Sequence, residues 1–463
     1  MEQLNNLVTS CANGVWFILM FLLVGSGIYF SFRTRFVQVR RFKSGWNRVF
    51  GGLNLFGEKA GGEGMSSFQA LATAIAAQVG TGNVVGCVTA LVSGGPGAIF
   101  WMWVAAFFGM ATIYSEATLA QVTKTRDVKG HVIGGPVYYI QRAFHGQLGK
   151  VLAALFSVLI ILALGLMGNM VQSNSIADAF YNAFGASKLI VGIICAVLAG
   201  FIFIGGVSRV ASFTEKIVPI MAALYIIGGL VVIIIYHDNF IPAFTSIFKY
   251  AFTPYAISGG TIGIAVTQAM RYGVARGLFS NEAGMGSTPH AHAIAKVEKP
   301  QDQGEVAIIG VFFDTFIVLT ITALVILCSG ILPTTIAEGK EGVAVAQTAF
   351  ANALGGNLGP KFIAIALLFF AFSTIIAWYY FAEQNIKYLF GYKAIKPFAL
   401  LVVAAIILGS TLKVELVWNA SDLFNALMVF PNLLALLALS GFVAKAARGE
   451  QVDMDKLIEH KKK

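Results

Sequence analysis

The chain has 463 residues, of which 57% are hydrophobic and 12% charged, with a mean hydropathy of +0.77. A soluble domain carries about twice that charged fraction, so composition excludes a water-soluble globular protein and points to a polytopic membrane protein. The net charge of +10 would suggest nucleic-acid binding if the basic residues clustered on a soluble face, but they fall in short loops between apolar runs.

In chain order, the N-terminal stretch MEQLNNLVTSCANG has no Lys or Arg before its apolar run. It therefore lacks the basic region of a signal peptide, and the first span is expected to remain attached. Eleven spans are expected, at about residues 14–32, 66–94, 97–122, 148–173, 187–205, 214–236, 258–292, 304–330, 360–390, 397–413 and 419–443. Positive charge sets the orientation. With the N-terminus outside and the C-terminus cytoplasmic, 27 of the 32 Lys and Arg residues fall on the inner side. Lys188, Lys249, Lys340, Lys361 and Lys413 remain outside. Residues 237–257 are aromatic, semi-apolar and too short to span, so they are expected to lie along the outer interface. Residues 340–354 read as a short outer helix. Cys11, Cys87, Cys195 and Cys328 are too scattered for a disulfide framework or a zinc site.

The second span carries Val79-Gly80-Thr81-Gly82-Asn83 at its middle. Two glycines separated by one residue cost roughly 1 kcal/mol each in a helix interior relative to Ala. An opened helix survives in hydrocarbon only where protein or a polar cavity meets its freed N–H and C=O groups. Such discontinuous helices hold cations and carboxylates in secondary transporters. Small residues also serve close helix packing, but Gln78, Thr81 and Asn83 beside these glycines favour a break. The freed N–H groups of Gly80, Thr81, Gly82 and Asn83 can face a substrate carboxylate, aided by the following helix N-terminus. Gln78 and Asn83 can add side-chain donors. The Ala76 and Val79 carbonyls, just before the break, suit a hard cation such as sodium. Gly82 is expected to be glycine so that the backbone can approach the carboxylate without a side chain intervening.

The span beginning near Ile257 repeats the anomaly, with Arg271, Arg276, Asn281 and Glu282 among Gly273, Gly277, Gly284 and Gly286. Ionisable residues at membrane depth mark sites, and Gln268, Asn281 and Glu282 fall in this second break. The two interrupted spans begin about 192 residues apart and each leads a five-span group, 66–236 and 258–443. Five is odd, so the second group enters the membrane inverted, the architecture of many secondary transporters. Residues 1–65 form a peripheral first span and a basic cytoplasmic loop, and 444–463 a basic tail.

The strings GTGNVVGCVTALVSGGPGAIFWMWVAAFFGMATIYSEATLA (residues 80–120), GNMVQSNSIADAF (168–180) and QAMRYGVARGLFSNEAGMGSTPHAHA (268–293) resemble the alanine or glycine:cation symporter family. The resemblance runs from about residue 14 to 445. It implies a leucine-transporter-type fold, sodium-coupled uptake of small amino acids and an inner-membrane location. It also places Ser373 and Thr374 as paired hydroxyls, with the Phe370 carbonyl one turn earlier, in a sodium site shared with Ala76 and Val79. Met285 and Trp378 are implied as the bulky side chains against the substrate methyl group.

Gly168, Gln172 and Ile176 are spaced i, i+4, i+8 and so share one face of the fourth span, a face suited either to the pocket or to the core. Glu282 is either a ligand for the ammonium group or cation, or a partner of Arg276 or Arg271; the cost of an unpaired charge favours the ion pair. Glu116 either supports packing or touches cargo. His290 and His292, two apart, do not share a helix face, which argues against a metal site. The reading is a sodium symporter for alanine or glycine embedded in a lipid bilayer, with no nucleic-acid partner. A proton-coupled amino-acid symporter, with Glu282 carrying the proton, is the alternative. No nucleophile–base constellation suggests an enzyme, and no symmetric filter sequence suggests a channel.

Overall fold

The computed structural model describes residues 2–51, 64–257, 262–412 and 415–450. Lys59, Lys413, Lys456, Lys461, Lys462 and Lys463 of the charge pattern, and the start of the second interrupted span at 258–261, lie outside the described residues. Among the described residues the fold is all-α apart from two short antiparallel hairpins, Thr125–Arg126 with Val132–Ile133 and Tyr255–Ile257 with Ile262–Ile264, and an isolated bridge between Met65 and Ala295.

Among the described residues, eight helices are long and apolar enough to cross a membrane, and a ninth span counts if a pair bent by 48° is taken together. That pair is Ser67–Gln78 with Gly82–Gly94, the interrupted span expected from the sequence. Of the other expected spans, Lys188–Ile204 forms a 17-residue apolar helix and Val266–Asn281 a 16-residue helix that the sequence loads with Arg271 and Arg276.

Local signals set the boundaries. Ser66 Oγ accepts from the Gln69 N–H and Gln69 Oε1 accepts from the Ser66 N–H, a reciprocal cap that starts the second span. Gly95, at φ 69°, ends it, and Pro96 precedes the helix Gly97–Thr123. Residues 237–257 largely form the helix His237–Phe252, which buries Ala243, Ile247 and Ala251 while leaving Ile241, Phe244, Phe248 and Phe252 outward. The short helix expected at 340–354 is Val343–Leu354.

Among the described residues, three helices contain a widened, π-type turn: Gly82–Gly86, Ile161–Gly168 and Phe312–Leu319. Such turns cluster at functional sites. Each carries a residue of the region described next, respectively Asn83, Gly168 and Asp314. Each of the two interrupted elements is followed by four longer helices. These are Gly97–Thr123, Gly146–Phe184, Lys188–Ile204 and Gly206–Ile235 in one case, and Pro300–Cys328, Leu358–Phe390, Ile395–Thr411 and Glu415–Ala438 in the other.

Candidate functional site

The first break opens at Val79, whose ψ of 89° leaves helical geometry, and the chain resumes at Gly82. It lies against the helix Leu358–Phe390. Thr374 Oγ1 stands 2.8 Å from the Ala76 carbonyl, 3.0 Å from Phe370 O and 3.4 Å from Val79 O. One hydroxyl proton can serve one carbonyl at a time, so the cluster is rich in oxygen and poor in donors. That is the donor set a hard cation prefers. Ser373 is turned differently: its hydroxyl donates to Phe370 O at 2.9 Å and lies 3.4 Å from the Met221 sulfur. Of the expected hydroxyl pair, Thr374 therefore joins the Ala76 and Val79 carbonyls, whereas Ser373 reaches only that of Phe370.

On the other side of the break, the Gly80 N–H donates to Asn83 Oδ1 at 3.0 Å and the Thr81 N–H to Gln172 Oε1 at 3.2 Å. The Thr81 hydroxyl is buried without a hydrogen-bond partner among the described residues. Gln78 and Asn83 tie elements together rather than pointing free donors at a cavity. Gln78 Nε2 donates to Asn281 O at 2.8 Å, and Asn83 Nδ2 to Asp314 Oδ1 at 2.7 Å.

Asp314 is the buried junction that sequence reasoning missed. It is fully buried in Pro300–Cys328 and accepts from Asn83, from Ser280 Oγ at 3.0 Å and from Thr315 Oγ1 at 2.8 Å. It thus joins the first break to the residues just before the second. The signal was present, since an aspartate inside the apolar run FFDTFIVL is costly unless it serves a site.

The second break is narrower than its glycines suggest. Helix Val266–Asn281 runs unbroken through Gly273 and Gly277, which are small for packing: a Cβ on Gly277 would lie 3.2 Å from Met102 Cα. The chain then turns through Glu282, Gly284 and Gly286 at φ 57°, 88° and 81°. Glu116 holds this turn, accepting from the Gly286 N–H at 2.9 Å, the Gly284 N–H at 3.1 Å and Asn432 Nδ2 at 2.6 Å. Of its two readings, packing support is the one these contacts fit. Of the two arginines expected as partners of Glu282, Arg271 and Arg276, the latter pairs with Asp422 at 3.0 Å. Glu282 instead accepts from Trp378 Nε1 and from Ser287 Oγ, each at 2.5 Å.

The remaining expected residues divide. A Cβ on Gly168 would lie 2.6 Å from Trp378 Cζ3, so this glycine faces the indole ring, four residues before Gln172. Ile176 and Met285 are buried. Asn281 contributes its backbone carbonyl to Gln78 and its side chain to Thr315 and Ala283. Gln268 does not join the others. It is exposed at the start of its helix, where its Oε1 accepts from the Ala265 N–H in a cap, and the break lies more than three turns away. Gly82 is also placed differently from its expected use. A Cβ there would meet Ser280, at 3.2 Å from both its Cα and Oγ, so Gly82 allows the two broken helices to approach each other. Gly80 is the position facing Thr374 and Gln172, with a Cβ falling 2.5 Å from Thr374 Oγ1.

Broken helices crossing a helical membrane bundle, with carbonyls and N–H groups converging at the breaks, define a secondary transporter rather than an enzyme. The chain superposes on a manganese transporter of Eremococcus coleocola with a TM-score of 0.52 over 85% of this chain and 83% of that one, at 12% identity. The shared fold is of the leucine-transporter type. In sequence, it is 40% identical to a sodium/alanine symporter of Methanococcus maripaludis, over 96% of both chains. It is also 40% identical to an amino-acid carrier protein of Bacillus subtilis (95% of this chain, 91% of that one) and to a probable sodium/glutamine symporter of the same organism (97% and 91%). The model of the sodium:alanine symporter family matches residues 1–460, and the chain belongs to that family.

Proposed function

We propose that the protein carries small neutral amino acids, alanine and glycine, into the cell together with sodium by alternating access. The observation that carries this reading is the convergence of Ala76 O, Val79 O and Phe370 O on Thr374 Oγ1, whose one proton cannot serve all three, although Phe370 O also accepts from Ser373 Oγ. Sodium, as cargo, would take these oxygens, with Thr374 turning a lone pair rather than its hydrogen toward the ion. Ser373 completes the set only by rotating away from Met221.

The substrate carboxylate would take the Thr81 N–H that Gln172 Oε1 now holds, with the Gly80 and Gly82 N–H groups adjacent. Gln172 Nε2 is then free to donate to the same carboxylate. Two charges of opposite sign would thus bind on the two sides of one break, each lowering the cost of burying the other. The cargo side chain would lie toward Gly168 and Trp378, with Met285 and Ile176 behind. Small cargo is inferred from the bulk of Trp378 against a bare glycine, because relatives at the same identity are named for alanine and for glutamine.

Residues 66–236 and 258–443 act in this reading as two inverted five-span units that rock about the breaks, giving eleven spans with the first. The N-terminus lies outside and the C-terminus in the cytoplasm of an inner membrane. Proton coupling is a second reading, favoured by Glu282, a buried carboxylate held by two neutral donors. The deciding experiment is uptake of labelled alanine and glycine into proteoliposomes at fixed pH. Uptake driven by an inward sodium gradient supports sodium symport. Uptake driven by a proton gradient without sodium overturns it in favour of the second reading.

A further inference from the structure

Trp378 stands one turn after Thr374 on Leu358–Phe390, so its ring neighbours the carbonyl cluster. Its benzo edge faces Gly168, with Cζ3 and Cε3 falling 2.6 and 2.8 Å from a Cβ built there. Phe279 meets the ring edge-on at 6.5 Å between centroids. The pyrrole end is held by a different element, because Nε1 donates to Glu282 Oε1 at 2.5 Å. Glu282 is itself fixed. It is 1% exposed and occupies the left-handed region at φ 57°, uncommon outside glycine and worth explaining wherever it occurs. Its second oxygen accepts from Ser287 Oγ at 2.5 Å.

From this geometry we infer that Glu282 is a positioning residue for cargo size: it pins the Trp378 indole across the Gly168 face and so sets how large a side chain the pocket admits. The inference rests on the proposed amino-acid site and deepens it. A carboxylate is well suited to the task because it accepts from two directions at once, and a charged acceptor makes a shorter and stronger bond to the indole N–H than a neutral one. An indole held only by apolar contacts could swing away from Gly168 and open the pocket. The competing role for a buried carboxylate near an amino-acid site is to bind the ammonium group directly. The two roles differ in their need for charge: pinning needs an acceptor, which charge strengthens but an amide oxygen can replace, whereas ammonium binding needs the negative charge itself.

The test compares Glu282→Gln, Glu282→Ala, Trp378→Phe and wild type in sodium-driven proteoliposome uptake of glycine, alanine and glutamine, normalised to incorporated protein. A methylene in an apolar pocket is worth about 10- to 200-fold in discrimination. Releasing the ring should therefore shift the alanine-to-glutamine ratio of uptake efficiency by about tenfold or more toward glutamine. Glu282→Ala and Trp378→Phe, which break the same hydrogen bond from opposite ends, are expected to show that shift. Glu282→Gln, whose amide oxygen still accepts, is expected to keep the wild-type ratio. If Glu282→Gln and Glu282→Ala instead lose glycine, alanine and glutamine in parallel with an unchanged ratio, Glu282 binds the ammonium group and the inference falls.

Tryptophan emission gives a readout independent of transport. Glu282→Ala should shift the emission of the purified protein, and the shift should vanish in a Trp378→Phe background. Its persistence there would overturn the contact. If wild type moves no amino acid with sodium while the emission result holds, the cargo reading fails and the pinning of Trp378 stands.

Discussion

Thr374 has one proton for three carbonyls, and the consequence can be measured. Thr374→Val keeps the shape but removes the hydroxyl oxygen, leaving Ala76 O, Val79 O and Phe370 O without their shared contact. Interactions with charged groups are typically worth about 1.5–3 kcal/mol, so the sodium concentration for half-maximal uptake should rise roughly 10- to 150-fold. Ser373→Ala should raise it less, since that hydroxyl contacts only one of the three carbonyls. No shift for Thr374→Val would remove Thr374 from the cation site, and an equal shift for Ser373→Ala would overturn the ordering by making Ser373 an equal ligand. Gly168→Ala is the companion test for cargo. Its methyl group would press on the Trp378 ring, and overpacking costs about 1–3 kcal/mol, so alanine affinity should fall roughly 5- to 150-fold and glycine affinity less. Equal losses would leave Gly168 as a packing residue. Both residues were legible in the sequence through their spacing or their family resemblance. Asp314 was legible only as a costly aspartate in an apolar run, because its place in the site appears only when two other elements bring Asn83 and Ser280 to it.

At the scale of elements, four glycines of one span separate function from packing. A Cβ on Gly80 would fall against Thr374 Oγ1 and the Gln172 amide, on Gly82 against Ser280, on Gly94 against Ala98 and Tyr272, and on Gly86 against nothing within 4 Å. Gly80→Ala should therefore abolish alanine binding by filling the break. Gly82→Ala should weaken binding through a shift of the two broken helices, because contacts of 3.2 Å can be relieved by a few tenths of an ångström. Gly86→Ala is the control for span integrity, whereas Gly94→Ala should lower abundance by forcing helices apart. Binding of labelled alanine and membrane abundance of the four variants check this ordering, and wild-type affinity in Gly80→Ala would refute it. The break at 79–82 was readable because glycine spacing and polar neighbours are local signals. The widened turns at Ile161–Gly168 and Phe312–Leu319 were not, since Gly165 and Gly168 in ILALGLMG have no polar neighbours and suit close packing, and FFDTFIVL carries no glycine at all. The second break was read too broadly for a related reason: glycines that open a helix and glycines that admit a neighbour look alike until the neighbour is known.

Across the whole molecule, the loops that charge assigns to the cytoplasm touch one another, and those assigned to the outside do likewise. Arg276, counted with the inner residues, is an exception, since it pairs with Asp422 near the outer start of Glu415–Ala438. Arg48 in the first loop pairs with Asp302 at 2.8 Å and with Glu305 at 3.1 Å, Arg40 donates to Ala447 O, and Lys129 covers the Tyr392 ring. On the opposite side, Asn239 donates to Cys328 O and Asn182 to Gln347. These contacts sort the loops into two faces. Charge bias assigns the faces to compartments, and that assignment can be tested with thiols. Cys11 is exposed while Cys87, Cys195 and Cys328 are buried, so the native chain offers one reactive site near its N-terminus among the described residues. An impermeant maleimide should label Cys11 in intact cells. In a Cys11→Ser background, Asp238→Cys, at a side chain 90% exposed, should be labelled in intact cells. Val128→Cys, at a residue 95% exposed in the hairpin turn, should be labelled only after permeabilisation. The reverse pattern would invert the molecule in the membrane. The carbonyl cluster and the pocket would then keep their geometry, but the basic loops would lie outside, against the charge bias that governs insertion.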